Sequence, residues 1–153
     1  MTAPSDLEAS VLEQIVDWAL EIAQTKGTPV FTAAILKDSA ELCRAENRVA
    51  ATCDPTRHAE VEAIAKAGAM LGTPDLSGCT LIASCQPCEM CLAAMRWARI
   101  DRVVFAATQE AVGGGFFQFP ALGIADLHAA SGAAFTWHGG HAQALALPLY
   151  KGA

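Results

Sequence analysis

His58-Ala59-Glu60 and Pro87-Cys88-Glu89-Met90-Cys91 bring metal-binding side chains and one proton-moving side chain to short, regular spacings. A Cys-x-x-Cys pair can offer two sulfurs to a single metal, and each group stands where a helix should begin. A helix N-terminus favours thiolate over thiol, which is the form that ligates zinc. His58, Cys88 and Cys91 make three ligands for Zn2+. A structural zinc site closes with a fourth protein ligand, whereas a catalytic one leaves that position to water. The chain has no second cysteine pair outside Cys85–Cys91, and its other histidines, His128, His138 and His141, have no ligand-like spacing. The count therefore favours an open site, where the pKa of water falls to about 7. The released proton needs a carrier. Glu60 is placed for that role provided it is not itself a ligand. The chemistry is hydrolysis, with Glu60 passing the proton on to the leaving group.

Residues two apart on a regular helix point about 200° apart. For His58 and Glu60 to reach one centre, His58 must sit in the irregular first turn. Asp54-Pro55 reads as that helix start, an N-cap residue followed by a proline whose missing N–H costs nothing there. The helix should run to about Leu71 and stop at Gly72. Thr80–Ser84 reads as a buried strand. Pro87 opens a second helix, to about Trp97, and Arg102–Ala106 is a further strand. Upstream, Leu7, Val11, Ile15, Trp18 and Ile22 recur at steps of three or four. They predict a helix from Ser5 to Lys26, with a Ser5/Glu8 capping box and a stop at Gly27. Phe31–Lys37 and Leu42–Asn47 read as two strands of a hairpin turning near Asp38-Ser39. Gly113–Gly115 is a loop. A helix at Ile124–Ala130, a strand at Ala133–Trp137 and a last helix from about His141 follow. Strands alternating with helices give an α/β fold with a mixed sheet.

At 153 residues the chain suits a single domain spanning 1–153. Hydrophobic residues form 53% and charged residues 17%, which supports a sizeable core and excludes disorder. The net charge of −6 makes a nucleic-acid polymer a poor default partner. Arg96, Arg99 and Arg102 are the clearest basic cluster and read as a solvated face. The start has neither a basic region nor an apolar run of a secretory leader, and no apolar run reaches the roughly 18 residues of a membrane span. The cytoplasm is the expected compartment, and the six cysteines are expected as reduced thiols or metal ligands.

His-x-Glu followed by Pro-Cys-x-x-Cys is the signature of zinc deaminases. Here the chain resembles the cytidine deaminase superfamily, and more closely its guanine deaminase branch. DPTRHAEVEAI and SCQPCEMCLAAMRWAR resemble that branch's two core motifs, and the likeness runs from about Phe31 to Ala107. The resemblance implies a three-layer α/β/α fold with a five-stranded mixed sheet, a catalytic zinc and a homodimer. It also implies a reaction that replaces an exocyclic amine with a carbonyl and releases ammonia. Asn47 matches an asparagine that holds the base, and Ala59 a position whose backbone contacts the substrate. Phe31 matches a stacking phenylalanine and Trp97 a pocket tryptophan, core packing being the other reading of both. Cys85 matches a cysteine that is not a ligand. In guanine deaminases the C-terminal tail crosses to the partner subunit and sets an aromatic residue over its site. Tyr150 could do so here, or pack locally.

Two stretches depart from the branch. Its Pro-Phe-Gly-Ala segment is here Val30-Phe31-Thr32-Ala33. Its purine-reading aspartate has no equivalent in Gly115-Phe116-Phe117-Gln118-Phe119, where Gln118 can both donate and accept. The substrate expected is thus a free nucleobase or analogue, whether guanine-like, an aminopyrimidine or a triazine. A tRNA adenosine deaminase shares the signature but wants a basic surface for its RNA. A zinc-stabilised interaction domain without catalysis is the remaining alternative.

Overall fold

In a computed structural model, residues 1–151 are described. The first helix, α1 (Asp6–Lys26), begins at the expected capping box: Glu8 N–H donates to Ser5 Oγ at 3.2 Å and Ser5 N–H to Glu8 Oε2 at 2.8 Å. It buries Val11, Leu12, Ile15, Val16 and Ala19, one stripe of its surface, and ends at Gly27 with φ 76°. Strands β1 (Thr32–Lys37) and β2 (Ala40–Glu46) pair antiparallel. Asp38 and Ser39 take φ of 49° and 63° between them, the left-handed pair a tight hairpin turn needs.

The next segments differ from expectation. A four-residue helix, α2 (Val49–Thr52), follows β2. Asp54 caps no helix; its Oδ1 accepts from Thr56 N–H at 2.9 Å and closes a turn instead. Helix α3 (Ala59–Leu71) starts four residues later than Pro55, and His58 is its N-cap, with extended backbone at φ −66°, ψ 155°. β3 (Thr80–Cys85) leads to α4 (Glu89–Trp97), whose N-cap is Cys88, also extended, so Pro87 lies outside that helix. β4 (Arg102–Ala107) and a short α5 (Gln109–Val112) precede a 3-10 turn at Gly114–Phe116. α6 (Ile124–Ala130) lies where expected. β5 is Thr136–Gly139, three residues later than its pattern suggested, because Gly132 and Ala133 adopt positive φ in a turn. The last helix, α7 (Gln143–Ala146), is only four residues long and passes into a 3-10 turn at Leu147–Leu149.

The sheet order is β2-β1-β3-β4-β5, with β1 antiparallel to β2 and β3, and β3, β4 and β5 parallel. It is the five-stranded mixed sheet expected. Side chains alternate between faces. Ala33, Ile35, Leu81, Ala83, Val103 and Phe105 pack with Ala63 and Ala67 of α3 and Leu92 and Met95 of α4. Ala34, Leu36, Ile82, Val104 and Ala106 pack with α1, Leu149 and Tyr150. Helices thus cover both faces in three layers. The parallel pair β3 and β4 ends beside the start of α4, and that sheet end carries the site.

Candidate active site

Two helix starts converge at the C-terminal end of β3. His58 and Cys88 are N-caps in extended conformation, and Cys91 is one turn into α4. The extended backbone at His58 removes the helical constraint on its direction, so His58 and Glu60 face one centre. Nδ1 of His58 lies 3.6 Å from Cys88 Sγ and 3.5 Å from Cys91 Sγ. The ligand atoms of the three residues all fall within 4.8 Å of one another. The Cys88 thiol is held down to about 4, first by the hydrogen bond it receives from Cys91 and then by His58, against the cost of burial. Donating that hydrogen bond, together with burial, pushes the Cys91 thiol far up. His58 is raised, first by its hydrogen bond with Cys88. A buried thiolate and a second thiol in its contact with an imidazole, next to a buried carboxyl, form a donor set that a divalent cation would complete. Two thiolates with one imidazole suit zinc.

Glu60 is 6% exposed, and its Oε2 lies 3.5 Å from Cys91 Sγ. Burial, with the Cys88 charge adding to it, pushes its carboxyl up to about 7 despite the lowering effect of its own backbone hydrogen bond and of His58. It therefore suits both taking and giving a proton near neutral pH.

These groups open into a cavity of about 470 Å³ lined by Phe31, Asn47, Val49, Pro55, Thr56, His58, Glu60, Cys85, Gln86, Cys88, Glu89, Met90, Gly115, Phe116, Phe117 and Gln118. Asn47 Oδ1 accepts from Val49 N–H at 3.0 Å, which leaves its Nδ2 hydrogens to donate elsewhere. Phe31 belongs to both readings made of it: it faces the cavity and also stacks on Tyr150 at 5.2 Å. Cys85 is buried beside the site, and burial pushes its thiol up, as suits a cysteine that binds no metal. Phe117 packs on Cys88 and Cys91 and shields them from water. Ala59 is fully buried in the core beneath α3, between two cavity-lining neighbours.

Trp97 departs from both of its sequence readings, whereas Tyr150 takes the second of its two. Trp97 does not line the cavity; it is 89% exposed beside a groove between α3 and α4. The face of α4 turned to the sheet carries Cys91, Leu92 and Met95, and a residue two beyond Met95 points away. Tyr150 is not among the residues lining the cavity. It is 3% exposed, its hydroxyl donates to Ser84 Oγ at 2.7 Å, and it packs behind Phe31 in its own chain. The basic cluster is no patch. Arg102 pairs with Glu8 at 2.6 Å, Arg96 donates to Ile100 O at 2.7 Å, and Arg99 lies 3.6 Å from Asp75.

Sequence reasoning missed Glu89, Gln86 and the α2 region. Glu89 reads as an acidic first-turn residue complementing the helix dipole, which hides the contacts it makes across the cavity. The signal available was its place between two presumed ligands, which obliges it to lie at the site.

A family model described as the cytidine and deoxycytidylate deaminase zinc-binding region matches residues 8–107. Over 77 residues the chain is 49% identical to the guanine deaminase of Bacillus subtilis (strain 168), a match covering 50% of this chain and 49% of that protein. Over 89 residues it is 39% identical to the tRNA-specific adenosine deaminase of Aquifex aeolicus (strain VF5), covering 58% of this chain and 59% of that one. In both curated relatives the match spans less than two thirds of their length. The solved structure of guanine deaminase from Nitrosomonas europaea superposes with a TM-score of 0.80 at 25% identity, covering 99% of this chain and 84% of that one.

Proposed function

The chain belongs to the family of the cytidine and deoxycytidylate deaminase zinc-binding region, and on that premise we propose that it is a zinc-dependent hydrolytic deaminase of a free nucleobase or base analogue. The reaction exchanges the exocyclic C–NH2 bond at a ring carbon for C=O, consumes one water and releases ammonia. The observation that carries this reading is the buried Glu60 carboxyl facing the same centre as His58, Cys88 and Cys91. The 49% identity to a guanine deaminase over 77 residues supports the substrate class.

Zinc held by His58, Cys88 and Cys91 would supply a Lewis acid that acidifies water at neutral pH. Glu60 takes one proton from the attacking water and delivers it to a ring nitrogen, then takes the remaining hydroxyl proton and passes it to the departing amine. Asn47 donates from Nδ2 to an acceptor on the ring edge, and its Oδ1 contact with Val49 fixes that orientation. Phe31 and Phe117 exclude bulk water and give the ring apolar faces to lie against. Gln118, in place of an acid, offers both a donor and an acceptor to the far edge, so the base it reads can differ from guanine.

The test is ammonia release from a panel of guanine, adenine, cytosine, 2,6-diaminopurine and melamine by zinc-loaded protein. Turnover of at least one, abolished by Glu60→Ala, is expected; silence across the panel would reject the reading.

The five-stranded sheet with helices on both faces supports taking residues 1–153 as one domain. Six free cysteines suit a reducing compartment, the cytoplasm. Among the described residues no helix is long and apolar enough to cross a membrane. A homodimer is supported by the exposed Trp97 and by Met70, 61% exposed on α3. The locally buried Tyr150 argues for a dimer without an exchanged tail.

A further inference from the structure

Glu89 reaches across the mouth of the cavity. Its Oε1 accepts hydrogen bonds from two consecutive backbone N–H groups, Gln118 at 2.7 Å and Phe119 at 3.1 Å. Few backbone hydrogen bonds hold the segment it grips. After Gly113 the chain makes one 3-10 turn, with Phe117 N–H on Gly114 O, and a second turn from Leu122 N–H to Phe119 O. Phe119 at its tip is 60% exposed, so burial does not anchor it. The far end is tied from the sheet side. Gln109 donates from Nε2 to Pro120 O at 3.2 Å, and Gln109 is itself locked to Gln86 by two reciprocal hydrogen bonds. Between these ties stand Phe117, packed on Cys88 and Cys91, and Gln118, facing the cavity.

We propose that Glu89 is a positioning residue that clamps the Phe117–Phe119 wall against the cavity and thereby sets how tightly the ring is held. The role rests on the deaminase reading for its effect on substrate, but the clamp itself does not. A carboxylate on two N–H groups is a charge-assisted contact, stronger than a neutral pair. A residue at the first position of α4 is rigidly placed by its helix, so the wall is held in register with Cys88 and Cys91 by the same element that presents them.

The distinguishing experiment combines three variants with two readouts, each variant first checked for zinc content and melting temperature. Glu89→Ala removes the acceptor, Glu89→Gln keeps an oxygen at the same reach, and Glu89→Asp withdraws it by one methylene. Amide hydrogen exchange at Gln118 and Phe119 should quicken about tenfold or more in the alanine and aspartate variants and return most of the way in glutamine. With the panel base that the wild-type protein turns over fastest as the probe substrate, KM should rise about tenfold in the first two while kcat stays within about threefold, and glutamine should recover KM. Unchanged exchange in Glu89→Ala would overturn the clamp. Faster exchange with unchanged KM would overturn its role in holding the ring. If the wild-type protein deaminates no amine at all, the deaminase reading fails, and the exchange result still decides the clamp.

Discussion

Oε2 of Glu60 lies 3.5 Å from the Sγ of Cys91, on a buried carboxyl that lines the cavity. A carboxyl in that place is close enough to serve a group bound at the three ligands, and it occupies no ligand position itself. Glu60→Ala should therefore separate chemistry from metal binding. We expect kcat to fall by roughly 10²–10⁴ while zinc stays at one ion per chain by metal analysis. Retained activity would remove Glu60 from the mechanism.

Cys88→Ala should behave in the opposite way. With only His58 and Cys91 left, zinc content should fall well below one ion per chain, and activity should vanish with it. Because metal binding couples to folding, the melting temperature should fall too. In the wild type, a zinc chelator should abolish turnover, and added zinc should restore it. Full activity in chelated protein would exclude zinc from the reaction.

Much of this site was readable from residue spacing, and the reason is local. His58, Glu60, Cys88 and Cys91 are each fixed by a helix start, and helix starts have strong sequence signals. The actual starts nevertheless lay one turn from the expected one at Pro55, since Asp54 uses its carboxylate in the Thr56 turn, and two residues from the one at Pro87. The layers also followed from periodicity, because α1 and the β1, β3 and β4 strands carry clean apolar patterns. Trp97, Tyr150 and Glu89 were not readable. Whether Trp97 faces the cavity depends on the rotation of α4, and whether Tyr150 stays with its own chain depends on the Ser84 hydroxyl, 66 residues away. Glu89 depends on where an irregular loop passes.

That hydroxyl makes the tail testable. Tyr150 donates to Ser84 Oγ, which also accepts from Thr32 N–H at 3.0 Å, so one buried oxygen joins the tail, β3 and β1. Tyr150→Phe should cost about 1 kcal/mol, and Tyr150→Ala about 3–5 kcal/mol through the cavity left beside Phe31. Denaturant unfolding measures both. If Tyr150→Ala leaves stability unchanged, the tail does not pack on its own chain.

A second stability experiment reads pH. Burial alone would raise the Glu8 carboxyl, but the hydrogen bonds and charge of Arg102, with those from Ser5, hold it below its usual value. A pKa lowered by folding contributes stability above the unfolded-state value of about 4.3. That stability is lost as pH falls through the folded-state value. Glu8→Gln should therefore cost about 2 kcal/mol at pH 7, and the gap should narrow as the pH falls below about 4. Unfolding at pH 7 and pH 3 compares the two. A gap that stays constant between them would assign the loss to packing rather than to the Arg102 pair.

The exposed face of α3 and α4 sets the last test. Trp97, at 89% exposure, lines a groove with Ile64, Gly68, Pro74 and Leu76, and Met70 of α3 is 61% exposed. An aromatic side chain held in water beside an apolar groove is the kind of residue that anchors an interface, where truncation commonly costs about 2 kcal/mol or more. A stable dimer buries about 800 Å² per partner, so one aromatic is only the centre of such a contact, and reversing its polarity should suffice to break it. Sedimentation velocity should show the wild type as a dimer at micromolar concentration and Trp97→Glu as a monomer with its zinc retained. Because Trp97 lies outside the cavity, the monomeric variant also asks whether the site is complete within one chain. Activity that survives dissociation means that it is, as the local burial of Tyr150 implies. A wild type that sediments as a monomer, or a variant that stays dimeric, would remove this face from the assembly.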